Sequence, residues 1–337
     1  MNAKKQTFSI LLLSMVFLML ILDTKTAFLG AKEGIEICIN TVIPSLFPFL
    51  VITAILVNRL TGRSVSVLHR FGRFCGIPAG AEFILLIGFV GGYPIGAQCL
   101  RSAYDNRQIS HYDARRMLGF CNNAGPAFIF GIGNCIFHSK SVPWIIWGIQ
   151  ILSALLVSFI LPGKSKEFCN VGVACKLSVS HAVERSMKTM ANICSWVIIF
   201  RIMIKILQRW ILWYSSETAQ IAIVGIAELA NGCCELAGIQ EESLKFLLCS
   251  MFMSFGGLCV MMQTVTVVGD LGIGHYALGK LLQTIICLMI SVSVVPFFFD
   301  ENIKFTAFML VLAISVTILK VSANKYHSRK KVVEIRA

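Results

Sequence analysis

Apolar residues follow one another in long blocks along this chain instead of alternating with polar ones. One block covers positions 8–22, another 144–161 and a third 305–319. A membrane-spanning strand would place polar residues at every second position, and the run 11–22 contains no such alternation. A helix satisfies its own backbone hydrogen bonds, which lipid cannot do. A bilayer core about 30 Å thick takes roughly 17–25 apolar helical residues. Several blocks reach that length with their flanks, so the pattern predicts an all-α polytopic membrane protein.

Composition agrees. The 337 residues are 56% hydrophobic and 14% charged, against roughly 25% charged in soluble domains. Thirteen cysteines raise the question of a disulfide framework or a metal site. Cys121, Cys194, Cys249, Cys259 and Cys287 sit inside apolar runs, where cysteine acts as a small hydrophobe. No C-x-x-C pair occurs, and Cys233-Cys234 lacks a histidine at zinc-finger spacing. Reduced core thiols are expected, with no metal and no cofactor. Lys4 and Lys5 before the first apolar block resemble a signal peptide. A poor cleavage signal after the block favours a retained first helix.

The formal net charge of +13 would suggest nucleic acid in a soluble protein. Here the cations gather between apolar blocks, so the bias of Lys and Arg toward cytoplasmic loops explains them and no nucleic-acid partner is expected. The clusters are Arg59, Arg63, Arg70 and Arg73; then Arg101, Arg107, Arg115 and Arg116; then Lys164, Lys166, Lys176, Arg185 and Lys188; then the tail from Lys320 to Arg336. With the N-terminus they place about 21 of the 30 cations on one side. Lys25, Lys32, Lys140, Lys245 and Lys304 fall on the other.

This bias has a topological consequence. The apolar segment 81–100 has basic loops at both ends, so it must enter and leave on one side. Gly91-Gly92-Tyr93-Pro94-Ile95-Gly96 at its centre supplies a helix break. Threading backwards from the tail leaves 221–236 in the same position on the opposite side. One loop fits poorly: 269–276 should be cytoplasmic, yet it carries Asp270 and no cation.

The expected architecture is therefore about eight transmembrane helices plus two re-entrant hairpins in an inverted repeat, the plan of many secondary transporters. The parts are an N-terminal transmembrane helix (1–29), a first repeat (30–163), a cytoplasmic linker (164–189), an inverted second repeat (190–299), and a last helix with a basic tail (300–337). Weak echoes agree: Glu36 and Thr41 share the spacing of Glu184 and Thr189, Gly125-Pro126 matches Gly256-Gly257, and Gly88 matches Gly225.

Candidate binding residues concentrate where the helices should break. Gly91, Gly92, Tyr93, Pro94 and Gln98 lie in the first hairpin, and Asn122, Asn123 and Gly125 precede a second break. Unwound backbone there frees polar groups for a solute. Close helix packing through small residues explains the glycines as well, whereas amides in apolar surroundings need partners. In the second half Glu228, Asn231 and Gly256 occupy equivalent places. Glu228, a carboxylate near the centre of a hairpin, suggests proton or cation coupling, or an ion pair with Arg201 or Lys205. Gln263 is a weaker candidate. Arg201, Lys205 and Arg209 recur every fourth residue, hence on one helix face. Arg209 can snorkel to the interface; Arg201 and Lys205 lie deeper and are expected to attract an anion. No H-E-x-x-H, G-x-S-x-G or P-loop occurs, so no enzyme activity is expected.

Three motifs carry a family resemblance: T-V-I-P-S-L-F-P-F at 41–49, G-G-Y-P-I-G-A at 91–97 and C-N-N-A-G-P-A-F-I at 121–129. They resemble the YlbJ-type sporulation integral membrane proteins, within the wider nucleoside-recognition (Gate) domain group. E-L-A-N-G at 228–232 resembles the family's acidic hairpin motif less closely. The resemblance implies Gate-like repeats, a multi-pass place in the cell membrane, specifically the outer forespore membrane, and transport of dipicolinate toward the forespore. The partners it implies are the lipid bilayer and a small-molecule anion. Nucleoside transport and a non-transporting scaffold stand as alternatives, and a homo-oligomer stays open.

Overall fold

The computed structural model describes residues 3–60, 69–70, 72, 75–78, 80–161 and 178–299. Among them every regular element is helical. Five helical stretches are long and apolar enough to cross a membrane: Thr24–Leu56, Val142–Ile160, Val179–Trp210, Glu242–Leu271 and Gly274–Phe298. The chain is an all-α polytopic membrane protein.

Helix α1 spans Ala3–Leu22 and contains the first apolar block. Asp23 then caps α2 (Thr24–Ile37), its carboxylate accepting from the Thr26 N–H at 3.3 Å. Between α2 and α3 (Ile43–Leu60) the helix widens into a π turn, Cys38–Val42, and Ile43 N–H bonds the Cys38 carbonyl. Pro44 follows at once, and without an N–H it cannot serve the carbonyl four residues before it.

Helices α4 (Glu82–Gly91) and α5 (Ile95–Asp105) pack on each other across a break at Gly92-Tyr93-Pro94. The chain doubles back there. Gly88 and Gly96, one on each arm, both abut the Cys121 carbonyl so closely that a β-carbon on either would overlap it. Gly92 has φ +82, a conformation that favours glycine.

Helix α6 (His111–Cys121) is capped by Ser110, whose hydroxyl accepts from Asp113 N–H at 3.1 Å. It stops at an extended segment, Asn122 to Gly125, and α7 (Pro126–Ile136) restarts with proline at its first position. The helix break expected at Gly125-Pro126 is thus present, between two short helices. Proline removes an interior hydrogen bond but suits a helix start. Helix α8 (Val142–Ile160) closes this half.

Helix α9 (Val179–Trp210) packs along α2. Gly30 and Gly34 on α2 meet the backbone of Ile202 and Ile198 on α9, with a β-carbon's room absent at each. Small residues four apart let helix axes approach closely in lipid. Helices α10 (Glu217–Ala227) and α11 (Leu229–Glu235) form a second hairpin, folded so tightly that Gly232 lies against the Gly225 α-carbon. Helix α12 (Glu242–Phe255) and α13 (Gly257–Val268) are parted by Gly256 and Gly257, both at positive φ. Helix α14 (Gly274–Phe298) packs on α6, α8 and α12.

A long helical segment, a helical hairpin, a broken helix and a closing helix therefore occur in the same order twice. The acid of the 269–276 loop has a partner. Asp270 meets the Arg101 guanidinium, which donates to the Val268 carbonyl at 2.9 Å as well, tying the far end of α13 to the first hairpin. At the opposite ends of these elements, Lys245 donates to the Ile136 carbonyl at 3.2 Å. The eighth expected span, 305–319, and the basic tail lie outside the described residues, as do Lys164, Lys166, Lys176 and Lys304.

Candidate functional site

The two hairpin breaks and the two helix breaks converge. In the first half, Gly92 lies against Gly125, where a β-carbon on either would crowd the other's backbone at 2.9 Å. In the second, Gly257 stands against the Leu229 amide and the Glu228 α-carbon. Gly256 faces the Tyr93 ring, so the first hairpin tip touches the second half's break. Tyr93 also donates to the Met253 carbonyl at 3.3 Å.

Between these pieces lies a narrow cleft bordered by Tyr93, Gly125, Phe128, Glu228, Val260 and Gln263. Several residues expected from sequence thus share one cavity. Glu228 is extended (φ −145, ψ 121) and buried. Its carboxylate accepts from Asn231 N–H at 2.6 Å and from the Asn231 side-chain amide at 2.5 Å. Asn231 therefore fixes the carboxylate through the hairpin turn, and the ion pair with Arg201 or Lys205 does not form.

Asn122 and Asn123 diverge. Asn122 donates to Thr264 Oγ1 at 3.2 Å and accepts from Ala97 N–H at 3.4 Å, bridging the first hairpin to α13. Asn123 donates to the Phe120 carbonyl at 2.7 Å and turns its oxygen toward α14. Gly91 packs on the Ile95 side chain, and Pro94 caps α5. Gln98 stands apart: it donates to Thr189 Oγ1 at 2.8 Å and borders a second narrow cleft with Thr53 and Arg185.

The cationic stripe is placed differently from the expectation. Arg201 pairs with Glu33 at 2.5 Å and with Glu235 at 3.2 Å, and Lys205 pairs with Glu33 at 2.8 Å. Arg209 reaches Asp23 at 3.1 Å. The stripe binds α9 to α2 and the second hairpin instead of lining the cleft. Among the described residues no group of three or more His, Cys, Asp or Glu side chains is arranged to hold a metal ion.

One cation escaped the sequence reading. Lys280 on α14 has no exposed surface. Its ammonium donates to Gln283 Oε1 at 2.7 Å, Asn123 Oδ1 at 2.9 Å and the Tyr93 hydroxyl oxygen at 3.1 Å. It also lies 5.0 Å from the Tyr93 ring centroid and 5.9 Å from that of Tyr276. Gln283 in turn donates to the Gln150 carbonyl of α8 at 3.3 Å. Lys280 sits near one end of an apolar block, where a lysine is readily read as snorkelling. The signal that marks it is spacing: Tyr276, Lys280, Gln283 and Cys287 recur every three to four residues, a polar seam on one helix face.

No family model and no solved structure matches this chain. Over 109 residues it is 33% identical to a sporulation integral membrane protein, YlbJ, of Bacillus subtilis (strain 168). The similarity covers 32% of this chain and 27% of that protein. The chain is a multi-pass membrane protein with this partial relationship to a sporulation-associated one.

Proposed function

We propose that the chain is a membrane transporter for a small carboxylate anion, built as an inverted repeat with two re-entrant hairpins. The observation that carries this reading is the meeting of both hairpin tips and both helix breaks around one cleft. Broken helices facing each other across a mainly apolar cleft with a few polar groups, Glu228, Gln263 and the Tyr93 hydroxyl among them, suit a solute held between two halves that rock about it. The Arg101–Asp270 and Lys245–Ile136 contacts, at opposite ends of the broken helices, suit closures on the two sides.

Dipicolinate is the first solute to test, because the resemblance to the sporulation proteins points to it and to the outer forespore membrane. The second reading is a nucleoside carrier. Amides at Asn123 and Gln150 and the Tyr93 ring offer hydrogen bonds and a stacking face for a base. Reconstituted protein should accumulate labelled dipicolinate inside proteoliposomes above empty vesicles, with uridine at background. Uptake of uridine alone selects the nucleoside reading, and uptake of neither a nucleoside nor any small carboxylate leaves the scaffold.

A further inference from the structure

We propose that Lys280 is the anion-binding charge of this transporter, and that a solute carboxylate reaches it by replacing the Tyr93 hydroxyl. The proposal rests on the transport reading and gives it a residue that sequence spacing did not supply.

Three neutral oxygens take the three N–H donors of the Lys280 ammonium, from Gln283, Asn123 and Tyr93. Its hydrogen bonds are met, but its charge is not: among the described residues none of the salt bridges involves it, whereas the buried Lys245 has Glu242 at 2.7 Å. A cation taken from water without a counter-ion is strongly disfavoured. A bound anion supplies what the fold withholds.

The arrangement also shows where that anion would enter. Tyr93 alone among the three partners borders the cleft, and its contact with the ammonium is the longest. Its ring borders the cleft and also lies 5.0 Å from the Lys280 ammonium. Rotation of Tyr93 would free one N–H of the ammonium and connect the cleft to it. Beyond Lys280, the Gln150 side chain is 1% exposed and neither its oxygen nor its nitrogen has a hydrogen-bond partner. Buried amides are ordinarily satisfied, so this one marks a place for a polar ligand. Gln283, a partner of Lys280, donates to the Gln150 backbone carbonyl, so the unpartnered Gln150 amide belongs to the α8 turn packed beside Lys280. Its N–H donors would suit the second carboxylate of a dianion. A charged carboxylate on Lys280 with an amide beyond it fits a small dicarboxylate better than a neutral solute.

The test is titration calorimetry on the purified full chain in lipid nanodiscs, with dipicolinate and, separately, uridine as probes. Lys280→Met should weaken dipicolinate binding at least tenfold, and Lys280→Arg should keep more of it. Tyr93→Phe, which removes the competing hydroxyl, should bind dipicolinate severalfold tighter than the parent. A structural lysine predicts no such gain. Lys280→Gln replaces the methionine variant if that one does not fold. The proposal is overturned if neutral variants at position 280 bind dipicolinate within twofold of the parent. It is also overturned if Tyr93→Phe binds dipicolinate no more tightly than the parent, or if uridine and dipicolinate weaken equally. A parent protein that neither binds nor carries any small carboxylate defeats the transport reading itself, a separate outcome.

Discussion

Gly256 presents a bare α-carbon to the ring of Tyr93: a β-carbon added there would stand 3.0 Å from the phenol carbon and oxygen. The same glycine has φ +83, where any other residue is strained by about 1–2 kcal/mol. Gly256→Ala should therefore cost about 1–2 kcal/mol of stability, lowering the melting temperature, and slow uptake by wedging the tyrosine. Thermal melting in nanodiscs and initial uptake rates check both. Unchanged rates would show that Tyr93 need not move.

The glycines separate into those that hold backbone contacts and those that do not. Gly88 faces the Cys121 carbonyl, whereas Gly131 on α7 has nothing within 4 Å of an added β-carbon. Gly88→Ala forces two backbones apart and is expected to cost roughly 3 kcal/mol or more. Gly131→Ala gains helix propensity of about 0.5–1 kcal/mol. Folded yield and melting temperature should move in opposite directions for the two variants.

The Glu33, Arg201, Lys205 and Glu235 network joins α2 to α9. Partly buried paired charges of this kind couple. In a double-mutant cycle, Glu33→Gln and Arg201→Gln should each destabilise, and together by less than their sum, with a coupling of about 0.5–3 kcal/mol. Simple additivity would mean that the pair contributes nothing to stability.

Doubling back at Tyr93 sets the topology. Arg70 and Arg107 flank the first hairpin, and both are exposed. Cysteines placed at these positions, with the native thiols removed, should react with an impermeant reagent from the same side of the membrane. Labelling from opposite sides would show that 82–105 crosses the bilayer.

Glu228 bonds Asn231 through both its backbone and its side-chain nitrogen. Gln at position 228 keeps an oxygen for the backbone bond but removes the charge, so Glu228→Gln should stay in the membrane and lose uptake. Glu228→Ala should also lose the cap, costing about 1 kcal/mol more in stability. Membrane content and uptake at several external pH values distinguish these effects. Parental uptake by the Gln variant at every pH would make Glu228 structural.

Much of the local structure was legible in the sequence because its causes are local. Block length marked the long helices, and Gly92, Pro94, Gly125-Pro126 and Gly256-Gly257 marked the breaks, since proline lacks a donor and glycine tolerates positive φ. The polar residues at those breaks were legible too, and Tyr93, Gly125 and Glu228 do border one cleft. What the tertiary structure alone decided is which charges have partners. Arg201 and Lys205, deep in an apolar helix, seemed free for a solute until α2 brought Glu33 against them. Lys280, near the end of its block, gives no sign of burial in the sequence; α6, α8 and α12 pack on α14, and Tyr93 and Asn123 close on its ammonium. Helical spacing tells which residues share a face, but not which face of another helix it meets, and a charge's environment depends on that meeting.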